Sequence, residues 1–170
     1  DAAGNPTEKA VTLAVTNVNE APTGADKTIT IDEDTSKTLA ASDFGFDDAA
    51  DTPKNALSAV IITSLPTSGT LKLNGTDVTD DQTIAVADLG NLVFAPNSNA
   101  NGTGYATIGF KVKDDGGTAK QGADTSATDN TLTFNVTAVN DAPVNTLPAT
   151  IGVDLQATTL PGLSVSDVDE

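Results

Sequence analysis

The sequence contains no histidine, cysteine, methionine or tryptophan. It also has no arginine, so all eight basic residues are lysines. Without cysteine there is neither a disulfide nor thiolate chemistry. Without histidine or cysteine the usual ligands of zinc and copper are gone. The usual nucleophilic triads, oxyanion helpers and phosphate clamps are missing with them. Paired carboxylates can hydrolyse a glycoside, but a catalytic acid needs burial to raise its pKa. The acids here fall in turn-rich segments, so the chain is expected not to be an enzyme. Aromatics make up 4 % of the residues, and sugar-binding platforms usually present Trp or Tyr. Only Tyr105 is available, while Phe44, Phe46, Phe94, Phe110 and Phe134 read as core or loop anchors. The longest aliphatic run, Ala59-Val60-Ile61-Ile62, is too short to span a membrane, and no signal-like segment precedes it. The chain reads as a piece of a longer extracellular polypeptide, with no membrane insertion.

What is abundant is acid. Twenty-four Asp and Glu against eight Lys give a net charge of −16, and 20 of the 24 are Asp. Such a surface repels nucleic acid and anionic membranes. It attracts hard cations, which take oxygen ligands. A solvated acidic surface that maintains solubility is the alternative reading of the same composition.

The sequence repeats. Residues 11–22 read VTLAVTNVNEAP and residues 132–143 read LTFNVTAVNDAP, with seven of twelve positions identical at an offset of 121. After each Pro the sequence rhymes again. Ile29-Thr30-Ile31-Asp32, Leu39 and Ser42-Asp43 answer to Ile151-Gly152-Val153-Asp154, Leu160 and Ser166-Asp167. A period this long describes whole domains rather than solenoid turns. The expected organisation is the last strand of one repeat (1–20), a complete repeat (21–142) and the opening strands of a third (143–170).

Alternation sets the fold class. Ile29 and Ile31; Leu71 and Leu73; Ile108, Phe110 and Val112; and Leu132, Phe134 and Val136 each alternate with Thr, Lys, Gly or Asn. This is the half-buried antiparallel pattern. Ala59–Ile62 is continuous and predicts a more buried strand. Ser68-Gly69, Asn74-Gly75, Gly90-Asn91, Asn101-Gly102 and Asp115-Gly116-Gly117 supply turns, and a helical turn is expected within Asp80–Leu89. Seven to nine short strands predict an all-β, Greek-key β-sandwich.

The acids gather between those strands, as Asp32-Glu33-Asp34, Asp43 with Asp47, Asp48 and Asp51, Asp80-Asp81, Asp114-Asp115, and Asp124 with Asp129. Glu20 and Asp141 fall in the expected linkers. Two carboxylates about 4 Å apart repel by roughly 4 kcal/mol at an effective dielectric of 20. Ca²⁺ takes six to eight oxygens in flexible geometry and relieves that repulsion. No single-loop calcium motif is present, so a site must be assembled from several loops.

Together VNEAP and VNDAP at a strand end, IDEDTS, ASDFGFDD and FKVKDDGG resemble the cadherin-like tandem repeats of bacterial giant surface adhesins of the RTX type. The likeness covers essentially all of 11–143. It implies calcium between successive domains, bound by linker acids and by loop acids at the facing domain ends. Carried over, Glu20 and Asp141 match the linker acid. Glu33 and Asp34 match the acid after the first strand. Asp43 and Asp47 match the paired Asp after the second, with Asp167 and Asp169 in the third repeat. Asp114 and Asp115 match the turn before the last strand, and Asp51 completes the candidate metal set. The linker Thr16-Asn17-Val18-Asn19-Glu20-Ala21-Pro22 departs from the cadherin Asp-x-Asn-Asp-Asn-Ala-Pro, which implies fewer ions per junction. The implied function is a calcium-stiffened spacer of a cell-surface adhesin, serving adhesion and biofilm. Its partners would be neighbouring repeats, with a glycan or host ligand engaged through other domains. The alternative is a calcium-dependent ligand- or glycan-binding module of the same adhesin.

Overall fold

The structure, a computed structural model, describes residues 10–147, 162 and 164–167. Its strands are β1 (Lys27–Asp32), β2 (Lys37–Thr38), β3 (Leu57–Ser64), β4 (Thr70–Leu73), β5 (Thr76–Asp77), β6 (Gln82–Ala85), β7 (Leu92–Ala95), β8 (Gly102–Asp114), β9 (Asn130–Thr137), β10 (Val144–Thr146) and β11 (Ser164–Ser166). Short 3₁₀ turns cover Ala41–Asp43, Val86–Asn91 and Ala119–Gln121. The protein is mostly β, and no helix among the described residues is long and apolar enough to cross a membrane.

Period-two alternation decides which face each strand buries. In β8, Ala106, Ile108, Phe110 and Val112 are buried, and Thr107, Gly109, Lys111 and Lys113 face away. In β9, Leu132, Phe134 and Val136 are buried. Five strands form a mixed sheet in the order β1-β9-β8-β3-β6, in which β1 runs parallel to β9 and the other pairs are antiparallel. Four strands form an antiparallel sheet in the order β2-β7-β4-β5. Residues of both sheets share one apolar cluster. Phe94 of β7 stacks on Phe134 of β9 with ring centroids 3.9 Å apart, and Phe44 meets Phe110 edge-on at 5.0 Å.

Most turns fall where the residues predict them. Asn74 and Gly75, both with positive φ, join β4 to β5 as a two-residue hairpin, the conformation that Asn-Gly favours. The helical turn expected within Asp80–Leu89 is present from Val86 onward, preceded by a strand that was not expected. Ile84 is buried and in register with Val60, so residues 82–85 form β6.

The two copies of the repeated motif behave differently. Residues 132–137 lie within β9, flanked by β1 and β8. Residues 10–22 belong to no strand, and Val11, Leu13 and Val15 are 87 %, 82 % and 86 % exposed. β1 and β8 pair with the two sides of β9, whereas the first copy has no strand partner among the described residues. At the other end β10 and β11 pair antiparallel by themselves, with every residue exposed. Ile151–Asp154, Leu160 and Asp169 lie outside the described residues, as do 1–9 of the expected preceding strand.

Candidate cation sites

Strand β8 separates two acidic groups. Its first residue, Gly102, is paired with Val136, and its last, Asp114, with Leu57. Thirteen extended residues place the two ends on the order of 40 Å apart.

At the Asp114 end, three loops converge on segment 17–22. Asp51 is 2 % exposed. It accepts hydrogen bonds from Asn17 Nδ2 at 2.5 Å, from the Glu20 backbone N–H at 2.9 Å and from Asn55 Nδ2 at 3.5 Å. Asp48, also 2 % exposed, accepts the Asn55 backbone N–H at 2.6 Å through one oxygen. Its other oxygen, Oδ1, is buried and has no hydrogen-bond partner among the described residues. A buried acceptor left unmatched costs roughly 1–3 kcal/mol.

The Glu20 carboxyl is held above its ordinary range. Partial loss of water at this spot is the first cause, followed by the hydrogen bond it shares with Asp51 and repulsion from Asp51 and Asp48. Glu20 therefore feels both Asp51 and Asp48 as like charges. Asp114 is buried and accepts from Asn19 Nδ2 and from the Gly116 N–H at 2.8 Å. Asp115 is exposed and accepts the Ala56 N–H at 2.8 Å.

At the Gly102 end, Glu33 is 3 % exposed because β1 ends against the last residues of β9. Its Oε1 accepts the Val139 N–H at 2.7 Å, and its Oε2 accepts Asn101 Nδ2 at 3.2 Å. Asp34 accepts the Asn99 N–H at 3.0 Å. The Asn99 amide, with its nitrogen turned to the acids, bridges Asp34 at 3.1 Å and Asp141 at 3.2 Å. Amides thus occupy the spaces between carboxylates at this end.

Two candidates from the sequence are neutralised by lysine. Asp43 is buried and meets Lys27 Nζ at 2.6 Å and Lys37 Nζ at 3.8 Å, and it caps the Ala40 N–H at 3.0 Å. Burial pushes its pKa up, but the Lys27 hydrogen bond, the Ala40 N–H and the two ammonium charges outweigh it, and the net shift is downward. Asp47 meets Lys54 at 2.6 Å, which lowers its pKa.

The Asp43 shift fixes a pH dependence. A carboxyl whose folded pKa lies below its unfolded value adds stability above the unfolded value, and that stability is lost as pH falls through the folded one. Asp43→Asn is expected to cost about 2 kcal/mol at pH 7, the range for hydrogen bonds to charged groups. The difference from the parent should shrink steadily below about pH 4, as read by urea denaturation at several pH values.

Sequence reasoning grouped the acids by loop but left Asp48 out of the ligand set and did not foresee the amides of Asn17, Asn19, Asn55, Asn99 and Asn101. The recurrence of Asn19 as Asn140 was the available signal. Tyr105 packs against the core, and its hydroxyl accepts the Asn97 N–H at 3.0 Å.

Among the described residues no three acidic side chains group tightly enough to hold a metal by themselves. A cation at either end would need amide and carbonyl oxygens as well. The available donors are all oxygen, which suits Ca²⁺ and not zinc. The chain matches no protein-family model, no curated protein and no solved structure.

Proposed function

We propose that this chain is a calcium-stiffened spacer repeat of a large bacterial cell-surface adhesin. Its two sheets form a Greek-key sandwich of cadherin-like type, and it performs no catalysis. The observation that carries the reading is the buried, unmatched Asp48 Oδ1 beside Glu20 and Asp51. Carboxylates that repel one another at the point where the linker enters the repeat are stabilised by a divalent ion with flexible oxygen coordination. Glu20, Asp48 and Asp51 are the acidic ligands at this end, while on the adjoining loop Asp114 is held by Asn19 and the Gly116 N–H and Asp115 by the Ala56 N–H. Glu33, Asp34 and Asp141 form the corresponding group at the opposite end. Asp43 and Asp47 serve structure instead, because lysines already neutralise them. A bound ion supplies positive charge where linker and loops meet, and it thereby limits bending between repeats. The short Ala21-Pro22 linker, with a fixed proline φ, limits it further.

The parallel β1–β9 pairing supports a repeat architecture. It places the end of the repeated motif beside the first strand of the same unit. In the complete unit Thr23 bridges Asp47 antiparallel, and beyond the next Ala-Pro Val144–Thr146 pair antiparallel with Ser164–Ser166. In both places the chain after Ala-Pro returns to the segment around the next Ser-Asp pair.

Thermal melts in chelator, millimolar calcium, magnesium and ionic-strength-matched NaCl test the proposal. Calcium is expected to raise the melting temperature well beyond NaCl, with magnesium between them. Equal stabilisation by NaCl would mean that the acids are only a screened surface.

A further inference from the structure

The residue next to Glu20 has a different task. Asn19 Nδ2 donates to the Ala123 carbonyl at 2.6 Å and lies 3.1 and 3.3 Å from the two oxygens of buried Asp114. Asn19 Oδ1 accepts from Asn55 Nδ2, and the Asn19 carbonyl accepts the Ala123 N–H at 2.9 Å. The socket depends on missing side chains. A methyl on Gly116 would overlap the Asn19 and Asn55 amides, and one on Gly122 would lie 3.0 Å from the Asn19 carbonyl. Lys120 Nζ donates to Thr16 Oγ1 at 2.8 Å and extends the same seam.

We infer that Asn19 is a metal-independent latch, which keeps segment 17–22 seated on the repeat when no cation is bound. The charge logic is specific. Asp114 and the Ala123 carbonyl present three acceptor oxygens to one point, and that point needs positive charge or hydrogen-bond donors. The Asn19 amide supplies donors of its own, so this half of the junction needs no ion. An aspartate at 19 would meet Asp114 as a second carboxylate and undo the seat. The junction therefore has two separable devices on adjacent residues: Glu20 with Asp48 and Asp51, which repel one another without a cation, and Asn19, which is complete without one. The latch does not rest on the calcium reading.

Amide hydrogen exchange by NMR on the 170-residue chain in chelator tests it, with the amides of Glu20 and Ala123 as local reporters and those of β8 and β9 as reporters of the fold. The parent should protect both local amides in chelator. Asn19→Ala and Asn19→Asp should each speed their exchange by at least about tenfold, the scale for losing hydrogen bonds to a charged group. Asn19→Ser, polar but too short to reach Asp114 and Ala123 together, should do the same, and β8 and β9 should stay protected. Raising NaCl should not release the parent latch. Unprotected local amides in the parent, or parent-like protection in Asn19→Ala, would overturn the inference. So would loss of protection throughout β8 and β9 in all three variants, because Asn19 would then belong to the fold itself. A parent that does not respond to calcium would sink the spacer reading and leave the latch standing.

Discussion

Asp48→Asn should change stability in opposite directions with and without calcium. In chelator the parent carries Asp48 Oδ1 buried without a partner. Replacing a carboxylate oxygen by an amide removes the unmatched charge and its repulsion of Glu20 and adds a hydrogen-bond donor. A gain of roughly 1–2 kcal/mol is expected, within the usual cost of a buried unsatisfied group. In calcium the same oxygen is a ligand in the proposed site. For an extracellular-type affinity near 10⁻⁴ M, 10 mM calcium stabilises the parent by about 2.7 kcal/mol. For a domain of this size that is a rise of roughly 10–15 °C in melting temperature. Asp48→Asn forfeits that rise. The two melting curves should therefore cross in order, with the variant higher in chelator and the parent higher in calcium. A variant destabilised equally in both buffers would make Asp48 a structural residue and remove it from the site.

Phe134→Ala should cost about 3–5 kcal/mol, the range for deleting a buried aromatic side chain. Phe134 is fully buried in β9 and stacks on Phe94 of β7, at a 21° interplanar angle. It is one of the contacts through which the five-stranded and four-stranded sheets share a core. A domain is usually stable by only about 5–15 kcal/mol, so the loss is a large fraction of the total. Urea denaturation followed by far-UV circular dichroism should show one transition shifted to lower denaturant, with the same shift in calcium and in chelator. A shift of less than about 1 kcal/mol, or two separate transitions, would mean that the sheets do not depend on each other.

The strands were legible because a half-buried strand must alternate. Thr107–Lys113 and Thr131–Thr137 could be read directly, and so could the Asn74-Gly75 turn, because few residues tolerate positive φ. The segment before β7 was harder. Asp80–Leu89 holds too few apolar residues for either period to dominate, and pairing of Ile84 with Val60 decided it. The parallel β1–β9 pair carries no local signal, since it joins residues more than a hundred positions apart.

The acids were legible as a composition but not as a site. Sequence alone could not separate Asp43, which two lysines from distant positions neutralise, from Asp48, whose carboxylate keeps one unmatched oxygen. Both are aspartates in the same loop region, and the difference comes from where Lys27 and Lys37 fall after folding. Asn19 escaped notice for a related reason: an amide has no charge to flag it, and its importance appears only when Asp114 and Ala123 arrive from about a hundred residues away.

Calorimetric titration of the metal-free chain with calcium, in 0.15 M NaCl, tests the central proposal most directly. The account predicts saturable binding with a dissociation constant of about 10⁻⁴–10⁻³ M, weakened or abolished in Asp48→Asn. A parent chain that gives no saturable heat up to about 10 mM calcium, above the weak end of that range, would contradict it.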